Sequence, residues 1–243
     1  MRTAIVTDIH GNLAALEKVF ERGESLGVER WVCLGDTVGY GAEPNECCDL
    51  VRARASFSLL GNHDAAVAGR MDYEYYYEAA RDALDWTRQG LSPANLAWLS
   101  SLPYTVREGP IEYCHGSPLE PEQYEYIFLV EQAEELVPVL NDLADLTFIG
   151  HSHLPRAYAL GGHGAKSVFA ETVELEPGPK YIVSIGSVGQ PRDGDHRACF
   201  GVVDDEAKTV TFHRVEYDIG RTARRIIEAG LSDHFARRLY AGI

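Results

Sequence analysis

Histidine, aspartate and asparagine residues of this chain cluster in five short motifs, and these residue types are the ones that bind divalent metals. The motifs are Asp8-Ile9-His10, Gly35-Asp36, Gly61-Asn62-His63-Asp64, His115-Gly116 and Gly150-His151-Ser152-His153. Carboxylate, imidazole and carboxamide groups together suit borderline or hard ions such as manganese, iron or zinc. The motifs therefore indicate a metal site built from distant parts of the chain.

The number of candidate ligands indicates more than one ion. They are Asp8, His10, Asp36, Asn62, His115, His151 and His153. This set is too large for one tetrahedral ion and suits two ions about 3.5–4 Å apart that share a carboxylate. In an extended chain, residues i and i+2 project to the same face. We therefore expect Asp8 to converge with His10, and His151 with His153.

Each motif follows a short apolar stretch that predicts a β-strand, at residues 3–7, 31–34, 57–60, 111–115 and 146–149. Helical patterns after Asn12 and at 44–54 separate the first three strands, and this alternation is typical of βαβ units with parallel pairing. Further strands are predicted at 104–106, 181–185, 200–203 and 209–215. Helices are predicted at 130–140 and after Asp218. Parallel strands place their sites at their carboxyl ends, which is where the motifs lie.

Length and composition predict one soluble domain. The chain has 243 residues, of which 45% are hydrophobic, and no linker or repeat divides it, so we expect a single domain at 1–243 with a helical excursion at about 65–102. The net charge of −15 argues against stable binding to nucleic acids or anionic membranes. Five cysteines without a Cys-x-x-Cys pair are typical of a cytoplasmic protein. Nothing in the composition indicates an oligomeric state.

The ordered motifs resemble those of the calcineurin-like metallophosphoesterase family, and in particular its compact prokaryotic phosphodiesterase-like and diadenosine-polyphosphatase-like members. The resemblance spans residues 8–153. It implies an α/β fold, a four-layer αββα sandwich of two mixed β-sheets flanked by helices. It also implies that Asp36 bridges two metals. One metal would be held by Asp8, His10 and His153, and the other by Asn62, His115 and His151.

The same resemblance implies a metal-dependent phosphoesterase in which a hydroxide that bridges two divalent metals attacks phosphorus in line. Metal-bound water can have its pKa lowered from 15.7 to about 7, which supplies hydroxide at neutral pH. Manganese is the favoured metal, with iron, zinc, nickel or magnesium as alternatives. The ions would outweigh the charges of Asp8 and Asp36, and distant surface charges are screened beyond roughly 8 Å, so a small phosphorylated substrate is attracted locally.

Four further roles follow from the resemblance. His63 would face the leaving-group oxygen or a non-bridging oxygen, and Asp64 would hold the other nitrogen of its ring. Asn62 would also contact substrate. Arg192, in the loop at 186–195, would bind a phosphate oxygen. Many relatives have Asn-Pro before the Gly-Ser of this loop where this chain has Ser184-Ile185, and a hairpin turn at Asp193-Gly194 is an equal alternative.

The substrate class and the possibility of a non-catalytic role stay open in the sequence. A phosphodiester or nucleotide-type substrate is favoured, with a phosphomonoester or phosphoprotein as the alternative on the same site. A non-catalytic binding scaffold of the same fold is the alternative from another class, although it would be expected to lack ligands or His63. The tyrosines Tyr73, Tyr75, Tyr76 and Tyr77 are expected to form a helix face packed on the core rather than to stack on a nucleobase.

Overall fold

Two six-stranded β-sheets form the centre of the protein in a computed structural model that describes residues 1–243. The first sheet contains β1 (Arg2–Val6), β2 (Arg30–Cys33), β3 (Phe57–Ser58), β9 (Thr172–Glu174), β11 (Ala198–Asp204) and β12 (Thr209–Val215), in the order β3-β2-β1-β11-β12-β9. The second contains β4 (Thr105–Glu108), β5 (Ile111–Cys114), β6 (Leu146–Ile149), β7 (Pro155–Gly161), β8 (Gly164–Val168) and β10 (Lys180–Ile185), in the order β4-β5-β6-β10-β7-β8.

Eight α-helices flank the sheets. They are α1 (Leu13–Ser25), α2 (Pro44–Arg54), α3 (Asn62–Ala68), α4 (Glu78–Gly90), α5 (Pro93–Ser101), α6 (Val130–Glu134), α7 (Ile219–Glu228) and α8 (Asp233–Ala241). Side-chain oxygens of Asn12, Ser92 and Asp218 accept hydrogen bonds from first-turn amides and so cap α1, α5 and α7. No helix in the chain is both long and apolar enough to span a bilayer.

The core has one layer between the sheets and further layers outside them. Ile5 and Val32 of the first sheet share a buried cluster with Phe148 and Val183 of the second, so the two sheets pack face to face. The opposite face of the first sheet packs on α1 and α2, and that of the second packs on α6. The predicted four-layer sandwich of two mixed sheets is therefore confirmed.

Parallel pairing brings the strand ends together. In the first sheet β1 pairs parallel with β2, and β2 pairs parallel with β3. In the second sheet β6 pairs parallel with both β5 and β10. All five predicted metal-binding motifs follow one of these strands, so their side chains meet at one edge of the sandwich.

Some sequence predictions of local structure were wrong. Strands β7, β8 and β9 were not predicted. The buried apolar run 157–160 of β7 is a strand signal that was overlooked, whereas β8 and β9 are short and carry no continuous apolar run. Residues 73–77 form a loop before α4 rather than a helix face. The hairpin at Asp193-Gly194 is also absent, since the flanking strands β10 and β11 belong to different sheets.

Candidate metal centre

Five of the seven candidate ligands project from strand ends where the backbone turns into the left-handed conformation. Asp8 and His10 have φ angles of 52° and 49°, Asp36 has 52°, and His151 and His153 have 63° and 59°. Residues other than glycine rarely adopt such angles. The extended-chain reason for the convergence of Asp8 and His10 was therefore wrong, although the two side chains do converge.

The first group of donor atoms comes from Asp8, His10 and His153, which are all buried. The Nε2 atoms of His10 and His153 are 3.2 Å apart. Asp8 Oδ1 lies 3.3 Å from His153 Nε2 and 3.9 Å from His10 Nε2. Donors at about 2.1 Å from one metal are about 3.0 Å apart at octahedral angles and about 3.4 Å apart at tetrahedral angles. The spacing of the first group fits an ion.

The second group contains Asp36, His115 and His151, whose ligand atoms lie within 4.8 Å of one another. Asn62 joins it, because its Oδ1 lies 3.2 Å from His115 Nε2. Asp36 Oδ2 is 3.4 Å from His115 Nε2 and 3.7 Å from His10 Nε2, so this carboxylate faces both groups. His151 and His153 belong to different groups and do not converge, contrary to the prediction from their i, i+2 spacing.

Backbone carbonyls decide which imidazole nitrogens face the centre. The Nδ1–H groups of His10, His115 and His153 donate to the carbonyl oxygens of Val38 (3.1 Å), Leu34 (2.9 Å) and Gln190 (2.6 Å). A carbonyl only accepts, so each Nδ1 carries a proton and each ring, when neutral, presents the lone pair of Nε2 inward. The Nε2 atoms face one another and the oxygens of Asp8 and Asp36, an arrangement that suits a cation.

Asp8 Oδ1 supplies an independent test of metal fit. This oxygen is buried and accepts no hydrogen bond, whereas Asp8 Oδ2 accepts from Thr7 Oγ1 at 2.9 Å and from the His151 amide at 3.0 Å. A buried carboxylate oxygen without a partner is costly. The residues present therefore fit a divalent cation, which would satisfy Oδ1.

The protonation of the site follows the same logic. Burial favours the neutral form of Asp8, but the imidazoles of His153, His115 and His151 hold the pKa of its carboxyl well below the usual range. Burial lowers the pKa of His10 far below its usual value and that of His151 to about 3. These two rings are therefore neutral at pH 7, the form that binds metals.

His115 is the exception among the rings of the site. Burial acts to lower its pKa, but the adjacent carboxylate of Asp36 outweighs burial and raises the pKa to about 9. Without a metal, a proton therefore occupies the position on Nε2 that faces Asp36 and Asn62. Metal binding at the second group is expected to displace this proton.

The Asp64 carboxylate does not contact the His63 ring, so the predicted pairing was wrong. It instead accepts hydrogen bonds from the backbone amides of Thr37 (3.2 Å) and Val38 (3.1 Å), while His63 Nδ1 is buried without a partner. Asp64 thus ties the loop after β2 to the start of α3. His63 packs 4.5 Å from the Tyr40 ring and lines the same cavity as Asn62 and His151.

Burial lowers the pKa of His63 to about 4, against the opposing charge of Asp36. The ring is therefore neutral at pH 7 when no ligand is bound. His63 also forms a third group of possible metal donors with His10 and Asp36. His63 was not predicted to bind a metal, and in the structure its ring lies beside both groups of donor atoms.

The loop at 186–195 supports the first group, a role that sequence reasoning missed. Ser187 Oγ donates to the Asp8 carbonyl at 2.8 Å and accepts from the Gln190 amide at 2.8 Å, and the Gln190 carbonyl holds the His153 ring. The Gly186-Ser187-Val188 sequence was the available signal, but the partners of the Ser187 hydroxyl are backbone groups that the sequence does not identify. Arg192 lies near this group: burial lowers the pKa of His153, and the charge of Arg192 lowers it further.

Two glycines allow the strand ends to approach each other. A Cβ atom on Gly61 would lie 2.2 Å from the Asp36 amide nitrogen, and one on Gly150 would lie 2.1 Å from Thr7 Oγ1. Both distances are far shorter than van der Waals contact. The third and fifth motifs therefore require glycine for the motif side chains to come together.

Comparison with known proteins identifies relatives along the whole chain. Residues 1–186 match the family model described as calcineurin-like phosphoesterase. An uncharacterised protein of Methanocaldococcus jannaschii is 35% identical over 98% of this chain and 97% of its own length. The crystal structure of a metallophosphoesterase from Sphaerobacter thermophilus has a TM-score of 0.87 at 38% identity and covers 100% of this chain and 99% of that one. A hypothetical protein from Pyrococcus horikoshii shares the fold, with a TM-score of 0.78 at 21% identity over 100% of this chain and 98% of that one.

Replacement of Ser187 tests the support of the first group. We expect Ser187→Ala to weaken manganese binding by about 10- to 100-fold, the range seen when residues that orient metal ligands are removed, because Asp8 and the Gln190 carbonyl lose a shared anchor. Isothermal titration of the metal-free protein measures the change. The exposed Ser101→Ala serves as the control, and unchanged affinity in Ser187→Ala would contradict the supporting role.

Proposed function

Because the chain belongs to the calcineurin-like phosphoesterase family and is a metal-dependent phosphoester hydrolase, we propose that its substrate is a small phosphodiester or nucleotide-type molecule hydrolysed at a dinuclear metal centre. The observation that carries this proposal is the division of the donor atoms into two adjacent groups with Asp36 facing both. Dinuclear sites of this kind hold their ions about 3.5–4 Å apart. A shared carboxylate at the junction is what such a pair needs.

The residues that would hold each ion follow from the geometry. Asp8, His10 and His153 would hold the first, and Asn62, His115 and His151 the second, with Asp36 between them. Two divalent ions there would act as Lewis acids and supply a nucleophile at neutral pH. Manganese is favoured because the donors mix imidazole with carboxylate and amide oxygens, with iron, zinc, nickel or magnesium as alternatives.

Two side chains beside the ligands act on the substrate in this proposal, and a third positions a ligand. Arg192 places a positive charge near the first group. Its Nη2 donates to Gln190 Oε1 at 3.1 Å and its buried Nε has no protein partner, and we assign this guanidinium to bind a phosphate oxygen. His63 lines the cavity and can donate from its ring to the leaving group or to a non-bridging oxygen. Asp64 does not touch substrate and positions the loop after β2, from which Asp36 projects.

The two alternatives make different demands on the site. A phosphomonoesterase or phosphoprotein phosphatase would use the same ions and residues and would differ in what the cavity accepts. A non-catalytic scaffold of this fold would not need the ligands to be complete. Here all seven ligand positions are filled and His63 lies beside them, which favours catalysis.

A substrate panel tests the proposed function. Metal-free protein is supplied with manganese and assayed on phosphomonoesters, linear and cyclic phosphodiesters, dinucleoside polyphosphates and a phosphopeptide. We expect hydrolysis only with added metal and a higher kcat/KM for diesters or nucleotides than for simple monoesters. Asp36→Asn should lose most of this activity, because an amide binds two metal ions less strongly than the shared carboxylate does. A preference for the phosphopeptide would support the alternative phosphatase, and no hydrolysis of any substrate would support the scaffold.

The leaving group tests the role of His63. An alkyl alcohol must be protonated as it leaves, whereas p-nitrophenolate hardly needs a proton. We therefore expect His63→Gln to lower kcat/KM for a methyl phosphodiester by about 10²- to 10⁴-fold, the usual contribution of general acid catalysis, and to affect the p-nitrophenyl ester much less. The exposed His163→Gln is the control. Equal losses on both esters would contradict an acid role and leave electrostatic stabilisation.

A further inference from the structure

The cavity beside the metal ligands has a wall of tyrosines. Its volume is about 480 Å³, within the range of small-molecule sites. Asn62, His63 and His151 line it, so it adjoins the candidate metal centre. Six tyrosines line it: Tyr40, Tyr75, Tyr76, Tyr77, Tyr124 and Tyr126.

Three of these rings are exposed, although their size and apolar character favour burial. Tyr75 is 75% exposed, Tyr77 is 51% exposed and Tyr126 is 42% exposed. Single exposed apolar residues are ordinary on a protein surface, whereas a cluster around a cavity marks a binding site. The expectation that the 73–77 segment packs on the core therefore fails for Tyr75 and Tyr77.

Two of the exposed rings are connected to metal-binding residues from separate loops, Tyr126 directly and Tyr75 through Tyr76. The Tyr126 ring stacks on His151, with centroids 3.8 Å apart and planes 14° apart. Tyr76 Oη accepts a hydrogen bond from Asn62 Nδ2 at 2.5 Å, and the Tyr75 ring packs edge-on against Tyr76 at 4.9 Å. Tyr75 and Tyr126 thus lie on two different loops beside the candidate metal centre.

We propose that Tyr75 and Tyr126 bind the nucleobase of a nucleotide whose phosphate lies at the metal centre. This inference rests on the proposed function and names the class of its substrate. Tyrosine rings stack on any base, since every base has a π-face. Stacking of this kind selects for the presence of a base rather than for one particular base.

The charge of the cavity rim favours a mononucleotide or dinucleotide over a nucleic acid. Glu74, Glu122 and Glu125 are exposed on the two loops that carry the tyrosines, and the whole chain carries a net charge of −15. A long phosphate backbone would pass these carboxylates and be repelled. A short nucleotide places its phosphate at the ions and its base against the rings.

Binding of non-hydrolysable ligands tests the base site independently of turnover. The probes are the phosphonate analogues of adenosine 5′-monophosphate and of ribose 5-phosphate, in which carbon replaces the ester oxygen. Calorimetry on the manganese-loaded protein measures both Kd values. We expect the adenosine analogue to bind at least about tenfold more tightly, and Tyr75→Ala and Tyr126→Ala each to reduce this preference by about tenfold, in the range that stacking of one base provides.

Control variants separate stacking from damage to the site. Tyr75→Phe and Tyr126→Phe should keep the preference, and Tyr240→Ala removes a 60% exposed tyrosine that does not line the cavity. Because Tyr126 contacts His151, the metal content of each variant is measured. If Tyr126→Ala has lost metal, the base preference of Tyr75→Ala alone tests the proposal.

Three outcomes would overturn the base site. The first is equal binding of both analogues to the wild-type protein, and the second is a preference for the adenosine analogue that persists in both alanine variants. The third is binding of benzylphosphonate that equals that of the adenosine analogue and depends on the same tyrosines, which would indicate a site for a single aryl ring, as in phosphotyrosine. If the base preference holds while the substrate panel shows no hydrolysis, the proposed function fails and the nucleotide site stands. If the substrate panel shows hydrolysis while the base preference is absent, the nucleotide site fails and the proposed function stands.

Discussion

The structure depends on the convergence of imidazole lone pairs at the edge shared by the two sheets. Three histidines are each held through Nδ1 by a backbone carbonyl, so their Nε2 atoms point at one another and at carboxylate oxygens. Buried donors that face one another need a positive charge between them. Without a metal, the proton on His115 Nε2 supplies part of that charge, and the tautomers set by the carbonyls prepare this edge for metal ions.

The fold maintains this convergence against local preferences. Five ligand positions adopt left-handed backbone angles, each of which costs roughly 1–3 kcal/mol. Buried sheets on both sides and close approach at Gly61 and Gly150 keep the chain in these conformations. Ser187 and Asp64 then connect neighbouring loops through hydrogen bonds to backbone groups. Strain concentrated where strands end is the usual sign of a functional site.

The sequence predicted most of the site because its signals are local. A polar motif after an apolar strand can be found without knowledge of the fold, and that applied to Asp8, Asp36 and His115. The parts that were missed depend on tertiary contacts. Ser187 acts through backbone atoms of a distant strand end, Asp64 binds amides rather than the neighbouring ring, and Tyr75 and Tyr126 line one cavity only after the chain has folded. Strands β8 and β9 were missed because their pairing, rather than their composition, makes them strands, whereas the apolar run of β7 was overlooked.

Anomalous diffraction from crystals grown with manganese tests the central claim most directly. The account predicts two anomalous peaks about 3.5–4 Å apart, one bonded to Asp8, His10 and His153 and the other to Asn62, His115 and His151, with Asp36 bound to both. A single peak, or two peaks that do not share Asp36, would contradict it.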